Sequence, residues 1–487
     1  MIDNSIGESY NSVPYHGHAF AHTDINHLSA LGALFSLSPK LPSQANVLEV
    51  GCAEGRNLFP LAVRYPKAKF LGIDLSSKQI AVAEDRRKKL DLDNISFLVQ
   101  DVLSMESKDA FDFIIIHGLY SWVPEDARIP LLARAQSLLA PNGLIYVSYN
   151  TLPGWHFRNI LRDFLLYATR NCISTDDRLR AARESLAIWS KAHSNPLTAG
   201  HQMIGTMLNS LNHLPDWYIF HELLENHNNP LYFSRFVEEA SAANLQYVCD
   251  AELATVSDYD LPEAAQSAVR TLADDMLSHE QFNDFIRQRM FRRSLLTQKN
   301  LSIPRSNFAA EVEKLFFSSP LIPTSRSTTG TTFEDPHGVE VVVEDKPLAS
   351  ALTALSSTWP GSLAFNDIHA ATSTAGGISR AELGQNLFHC LMQGTVFPHR
   401  EAVALPSKVE DFPQLSPLTC LEATWDNHVT SFKHEDIVLS KEERFLATLL
   451  DGKHSKAALA KLMQEKFAIG EEDVTRILDK MREHALL

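Results

Sequence analysis

The chain has 487 residues, of which 45% are hydrophobic and 21% charged, with a formal net charge of -15. That length points to about three domains rather than one core, and the composition is that of a folded globular protein. No run of about 18 apolar residues occurs, which excludes an ordinary membrane-spanning helix, and no basic stripe suited to gripping phosphates is visible, so nucleic acid is not an expected partner.

The opening MIDNSIGESY lacks both a basic n-region and an apolar h-region, so a cytoplasmic location is expected. Next comes YNSVPYHGHAFAHTDINH, with four histidines, His16, His18, His22 and His27. They lack an i, i+4 face with an acidic companion, and Pro14 and Gly17 make the stretch a loop. No metal is expected there; a lid in which Tyr10 or Tyr15 covers a cofactor is preferred. The five cysteines have no paired spacing and read as reduced thiols.

Residues 46 to 150 alternate strand and helix signals. The expected strands NVLEV, KFLGID, ISFLVQD, FDFIIIHG and GLIYVSYN are continuous apolar runs, the pattern of strands covered on both faces. Helices between them include SSKQIAVAEDRRKKL, where Ser76 and Gln79 have capping-box spacing, and PEDARIPLLARAQSLLA, ended by the turn PNG. The fold class is α/β, a doubly wound Rossmann-like sheet whose ligand site lies beyond the carboxyl ends of the strands.

The loop after the first strand, VGCAEGRN, spaces its glycines as G-x-x-x-G, not as the G-x-G-x-x-G of a dinucleotide site. Glu49 sits at the strand end, where a carboxylate would repel a pyrophosphate but suit a cationic ligand such as S-adenosylmethionine, which carries an ammonium and a sulfonium. Asp74 closes the second strand, where it can accept from two ribose hydroxyls, and Asp101 with Val102 closes the third, where an adenine can be held. Each aspartate has a plainer role open to it, capping the turn that follows. The candidate cofactor set is Glu49, Gly51, Cys52, Ala53, Gly55, Asn57, Asp74, Leu75, Gln79, Asp101, Val102 and His117, covered by Tyr10 and Tyr15. Ala53 stands between the two glycines, and an alanine is tolerated there if its φ stays negative.

These motifs, with HGLYSWVP and YNTLPGW after the fourth and fifth strands, resemble the class I methyltransferases that use S-adenosylmethionine and release S-adenosylhomocysteine. FHELLENHNNPLYFSRFVEEA, FNDFIRQRMFRRSLL and FPQLSPLTCLEATWDNHVTSFKHEDIVLS narrow the resemblance to the rickettsial-type bacterial protein lysine methyltransferases, which carry a methyltransferase regulatory domain and a winged-helix-like C-terminal domain. The resemblance implies a cytosolic enzyme, a homodimer, and a protein substrate with accessible lysines. An acidic body also favours a basic partner. A small-molecule acceptor, or a non-catalytic cofactor-binding protein, remains open.

Catalytic candidates lie on the expected ligand edge: Tyr120 and Trp122 beyond the fourth strand, Tyr149 and Asn150 at the end of the fifth. Tyr and Asn oxygens can accept an amine's hydrogens, and aromatic faces can hold a cationic methyl group. The expected domains are 1–155, a cofactor-binding core with its lid; 156–305, a helical region with a late strand in LQYVCDAEL; 306–405, a linker or hairpin and a first winged-helix-like unit; and 406–487, a second.

Overall fold

The computed structural model describes residues 10–195, 198–211, 213–306, 308–327 and 330–487. At its centre is a seven-stranded sheet of β1 (Asn46–Val50), β2 (Lys69–Asp74), β3 (Ile95–Val99), β4 (Phe111–Ile116), β5 (Leu139–Asn150), β6 (Leu245–Asp250) and β7 (Phe291–Gln298), in the order 3-2-1-4-5-7-6. The first five strands are parallel; β7 runs antiparallel to both β5 and β6. The order reverses between β1 and β4, and at such a switch point the connections leave to opposite faces and open a crevice.

Alternation along the strands supplies both faces of the core. Val47, Phe113, Ile115 and Tyr146 face one layer, which contains helix α1 (Ile25–Leu34). Leu48, Ile114, Val147 and Tyr149 face the other, against α2 (Glu125–Leu138) and α3 (Phe233–Ala242). All five expected strands are present. The PNG turn is not a helix end, however: β5 already begins at Leu139, opposite Phe111, and takes up the extra residues as a register shift.

Beyond β5 the chain is helical, with Trp155–Ala168, Thr175–Ala192 and Ala199–Leu211 packed around Leu165, Leu186 and Leu208. The late strand returns as β6, but through β7, a strand with no counterpart among the expected elements. Its reading is broken by Arg292 and Arg293. Arg292 is fully buried on this penultimate strand, donating to Asp284 at 2.8 and 2.9 Å, to Glu280 at 2.8 Å and to Asp250 at 3.2 Å.

The Ser/Thr/Pro/Gly stretch forms a three-stranded antiparallel sheet, Ile322–Arg326, Thr331–Glu334 and Glu340–Val343, pinned by buried Phe333; residues 328–329 lie outside the described ones. Three helices follow, Lys346–Thr358, Phe365–Thr372 and Arg380–Met392. The last unit holds helix Pro417–Trp425, a hairpin of His428–Thr430 and Asp436–Val438, and the three expected helices Lys441–Ala447, Lys456–Phe467 and Glu471–Glu483. No described helix is long and apolar enough to cross a membrane.

Candidate active site

The crevice at the switch point is a pocket lined by the ends of β1, β2, β4 and β5, by residues after β3, and by the N-terminal segment. Glu49 is buried at the end of β1; its Oε1 accepts from Asn57 Nδ2 at 2.7 Å, and its Oε2 has no hydrogen-bond partner. Burial pushes its carboxyl up to about 8, with Asp74 adding to the rise and Asn57 opposing it. A buried, half-satisfied carboxyl of this kind fits a ligand that brings a positive charge.

Asp74 does two jobs at once. Its Oδ1 accepts from Ser76 N at 2.8 Å and its Oδ2 from Ala53 N at 3.0 Å, while the side chain lines the pocket. Asp101 likewise caps the turn at Leu103 N, at 2.9 Å, and lines the pocket beside Val102. Capping and pocket lining are therefore compatible, because a carboxylate has more acceptor sites than a turn consumes.

The glycine loop differs from expectation in one respect. Ala53 has φ +47°, so it does not stay in the negative range. That conformation costs an alanine about 1–2 kcal/mol, and the hydrogen bond from its N–H to Asp74 helps to hold it. Gly51 (φ +77°), Cys52, Ala53 and Asn57 line the pocket. Gly55 does not: a Cβ there would meet the Phe97 ring at 2.6 Å, so its glycine serves packing.

Over this floor lies the N-terminal segment. Tyr10 stacks on His221 with centroids 4.4 Å apart, and Tyr15 meets Trp217 edge-on at 5.0 Å. Gln79 does not complete a capping box. Ser76 accepts from Gln79 N, but the Gln79 amide instead donates to the Tyr15 carbonyl at 2.9 Å and so ties the segment down from behind the pocket wall. Phe20 packs on His117 at 3.8 Å. His117 Nδ1 is shared between Tyr146 Oη and Ser148 Oγ, and burial lowers its pKa to about 3, so the ring is neutral.

Of the catalytic candidates, Trp122 and Asn150 line the pocket; Asn150 holds Asn228 through its amide at 3.2 Å. Tyr149 and Tyr120 do not. Tyr149, one residue from Asn150, points to the opposite face by strand alternation, stacks on Phe236 at 4.2 Å and shares a hydrogen bond with Ser294. Tyr120 is buried in the same layer and donates to Glu239 at 2.6 Å. Both are core residues, and the polar partners at the mouth of β5 belong to its other face.

Several lining residues escaped the sequence reading: His18, Phe20, Arg56, Leu119, Phe291, and above all His221 and Glu222. The last two sit on a π-helical turn, Phe220–Leu224, a local irregularity common at functional sites. Burial raises the Glu222 carboxyl, with Arg158 and His221 opposing the rise.

The C-terminal unit closes the back of the loop. Arg56 pairs with Asp426 at 2.5 Å, and Asn57 Oδ1 receives Phe20 N, Thr23 Oγ1 and His434 Nε2 at 3.1, 2.9 and 2.8 Å.

Comparison with known proteins agrees with this geometry. A "Methyltransferase domain" family model matches residues 41–212, a "Predicted methyltransferase regulatory domain" 215–298, and a "PKMT, C-terminal winged helix domain" 411–485. An uncharacterized protein of Rickettsia prowazekii is 33% identical over 241 residues, 49% of this chain and 96% of that relative. The chain belongs to the class I methyltransferases. A second uncharacterized R. prowazekii protein is 29% identical over 489 residues, 96% of this methyltransferase and 87% of the relative. The solved structure of PKMT2 from Rickettsia typhi superposes with a TM-score of 0.86 at 25% identity, covering 97% of this chain and all of that one; PKMT2 has also been solved in complex with AdoHcy. The cofactor of this methyltransferase is S-adenosylmethionine, and the pocket, with Glu49, Asp74 and Asp101 at three successive strand ends, fits that phosphate-free cation.

Proposed function

We propose that this methyltransferase modifies lysine side chains of a protein substrate. Supporting the reading is one observation: a fourth carboxylate, Glu222, lines the pocket near Tyr10, Tyr15 and His221, with Trp122 on the same lining, an acidic group in an aromatic-walled space. Such a wall suits a long apolar stem ending in a cation.

When bound, S-adenosylmethionine supplies a methyl group on a sulfonium, open to in-line attack by an amine. The protein's part is to hold and deprotonate that amine. A lysine ammonium at pH 7 loses its proton at a cost of about 4.6 kcal/mol from a reference pKa of about 10.4. An aromatic, desolvated wall reduces the cost, and Glu222 accepts the released proton. Asn150 and the neutral His117 orient the acceptor side. On the cofactor side we assign Glu49 to the methionine ammonium, Asp74 to the ribose, Asp101 and Val102 to the adenine, and Tyr10 and Tyr15 to the lid, fixed from behind by Gln79. The resemblance also supports a cytoplasmic homodimer, which sedimentation of the purified protein tests.

The deciding experiment incubates the enzyme and a Glu222→Gln variant with radiolabelled S-adenosylmethionine and fractionated lysate. The expected result is label on lysines of protein, reduced in the variant while S-adenosylhomocysteine affinity is kept. Label on metabolites or nucleic acid would overturn the acceptor, and unchanged turnover in the variant would overturn the role of Glu222.

A further inference from the structure

His18, His428 and Asp436 come together where the N-terminal segment meets the C-terminal hairpin, at the rim of the cofactor pocket that His18 helps to line. One atom from each lies within 4.8 Å of the other two. Thr430 pairs with Asp436 and His428 with Val438, so His428 and Asp436 are diagonal neighbours on one face of the hairpin. His428 Nδ1 is 2.7 Å from Asp436 Oδ2, and His18 Nδ1 is 3.3 Å from Asp436 Oδ1. The His18 nitrogen is buried, and Asp436 is the group it faces. Two imidazole nitrogens thus converge on one carboxylate, an arrangement that a cation can complete.

We propose that these three residues form a binding site for a divalent transition-metal ion, zinc by preference, that clasps the N-terminal segment to the C-terminal hairpin. Two imidazoles and one carboxylate are a donor set for zinc, cobalt or nickel; magnesium and calcium want oxygen ligands throughout. Zinc–ligand distances of about 2.0–2.2 Å place the edges of a tetrahedron at roughly 3.3–3.5 Å. The His18–Asp436 separation already has that length. The shorter His428 contact, to the other carboxylate oxygen, is the hydrogen bond that a metal replaces, with the Asp436 carboxylate turning so that one oxygen serves both imidazoles. Three protein ligands leave the fourth position to water.

The consequence reaches the cofactor through two residues of chain. Beyond His18, Phe20 lies on His117 and sends its N–H to Asn57, which in turn holds Glu49. An ion fixing His18 therefore fixes the lid, and metal binding slows cofactor exchange whatever the methyl acceptor is.

The test titrates chelator-treated, full-length protein with cobalt and, by competition with a chromophoric chelator, with zinc. Wild type is expected to show the visible absorption of tetrahedral cobalt. His428→Ala and Asp436→Asn are expected to lose that band and to weaken zinc binding by more than about 100-fold, beyond what loss of an outer-shell partner costs. Circular dichroism and S-adenosylhomocysteine binding confirm that the variants are folded, and His16→Ala serves as a control that keeps the band. In wild type alone, zinc should lengthen the residence time of S-adenosylhomocysteine. Equal zinc affinity in wild type and in both folded variants, or loss of the band only in His16→Ala, would overturn the site.

Discussion

Neighbouring residues on one strand separate pocket from core in this methyltransferase. Asn150 opens into the pocket and Tyr149 into the core, so Tyr149→Phe is expected to lose about 1 kcal/mol of stability with the Ser294 hydrogen bond and to leave kcat unchanged, read from thermal melts and initial rates. Asp74→Ala removes an acceptor of two backbone hydrogen bonds as well as a pocket carboxylate. It is expected to weaken S-adenosylhomocysteine by about 10- to 100-fold in calorimetry, the scale of charge-assisted hydrogen bonds; an unchanged isotherm would remove Asp74 from the site. The acids at the three strand ends were legible in the sequence because they follow apolar runs whose ends are easy to place. The direction of Tyr149 was not, because a strand buried on both faces gives no polar alternation to tell one side from the other.

At the scale of elements, the antiparallel end of the sheet depends on a charge. Arg292 of β7 is held by Asp284 and Glu280 of helix Met276–Arg287 and by Asp250 of β6. Asp284 takes the Nε and an Nη hydrogen bond of Arg292, so Asp284→Ala leaves a buried guanidinium N–H without an acceptor and is expected to destabilise by about 3–5 kcal/mol in urea unfolding. The same arginine hid the strand: FRRSLLTQ mixes charge into an apolar run, and only partners from distant segments make that tolerable. The hairpin of the last unit makes a second long-range contact. His434→Ala is expected to weaken S-adenosylhomocysteine severalfold, with circular dichroism unchanged, because Asn57 loses one of the groups that orient it toward Glu49. The three final helices could be read from their apolar spacing. That the hairpin before them touches the glycine loop could not, since it depends on packing between segments 377 residues apart.

For the whole molecule, buried titratable groups set opposing pH limits. His117 and His399 are both held neutral by burial, with pKa values of about 3. Between about 3 and the unfolded value of about 6.5 the unfolded chain binds protons that the fold refuses, so stability falls as pH drops through that range, by up to about 1.4 kcal/mol per unit for each group. Glu49 works the other way. Its carboxyl is raised to about 8, so from about 4.5 upward the unfolded chain has already lost a proton that the fold keeps, and stability falls as pH rises toward 8. Melting temperature should therefore peak between these limits for the protein alone. On the assignment of Glu49 to its ammonium, S-adenosylmethionine should remove Glu49's share of the alkaline decline, leaving that of Glu422, whose carboxyl burial raises to about 7, and should release a proton on binding; melts across about pH 4 to 9 with and without ligand, and calorimetry in buffers of different ionisation enthalpy, check both.

Asn57 also has a consequence for biosynthesis. Its side-chain oxygen collects partners from residues 20 and 23, but also from residue 434, which leaves the ribosome long after the sheet has been made. Domains generally fold as they emerge, so a nascent chain can build the whole sheet while the amide that aims Glu49 still lacks its third support. The pocket is finished by a segment translated well after the sheet, and chains truncated before residue 434 would carry a complete sheet with an unfinished cofactor site.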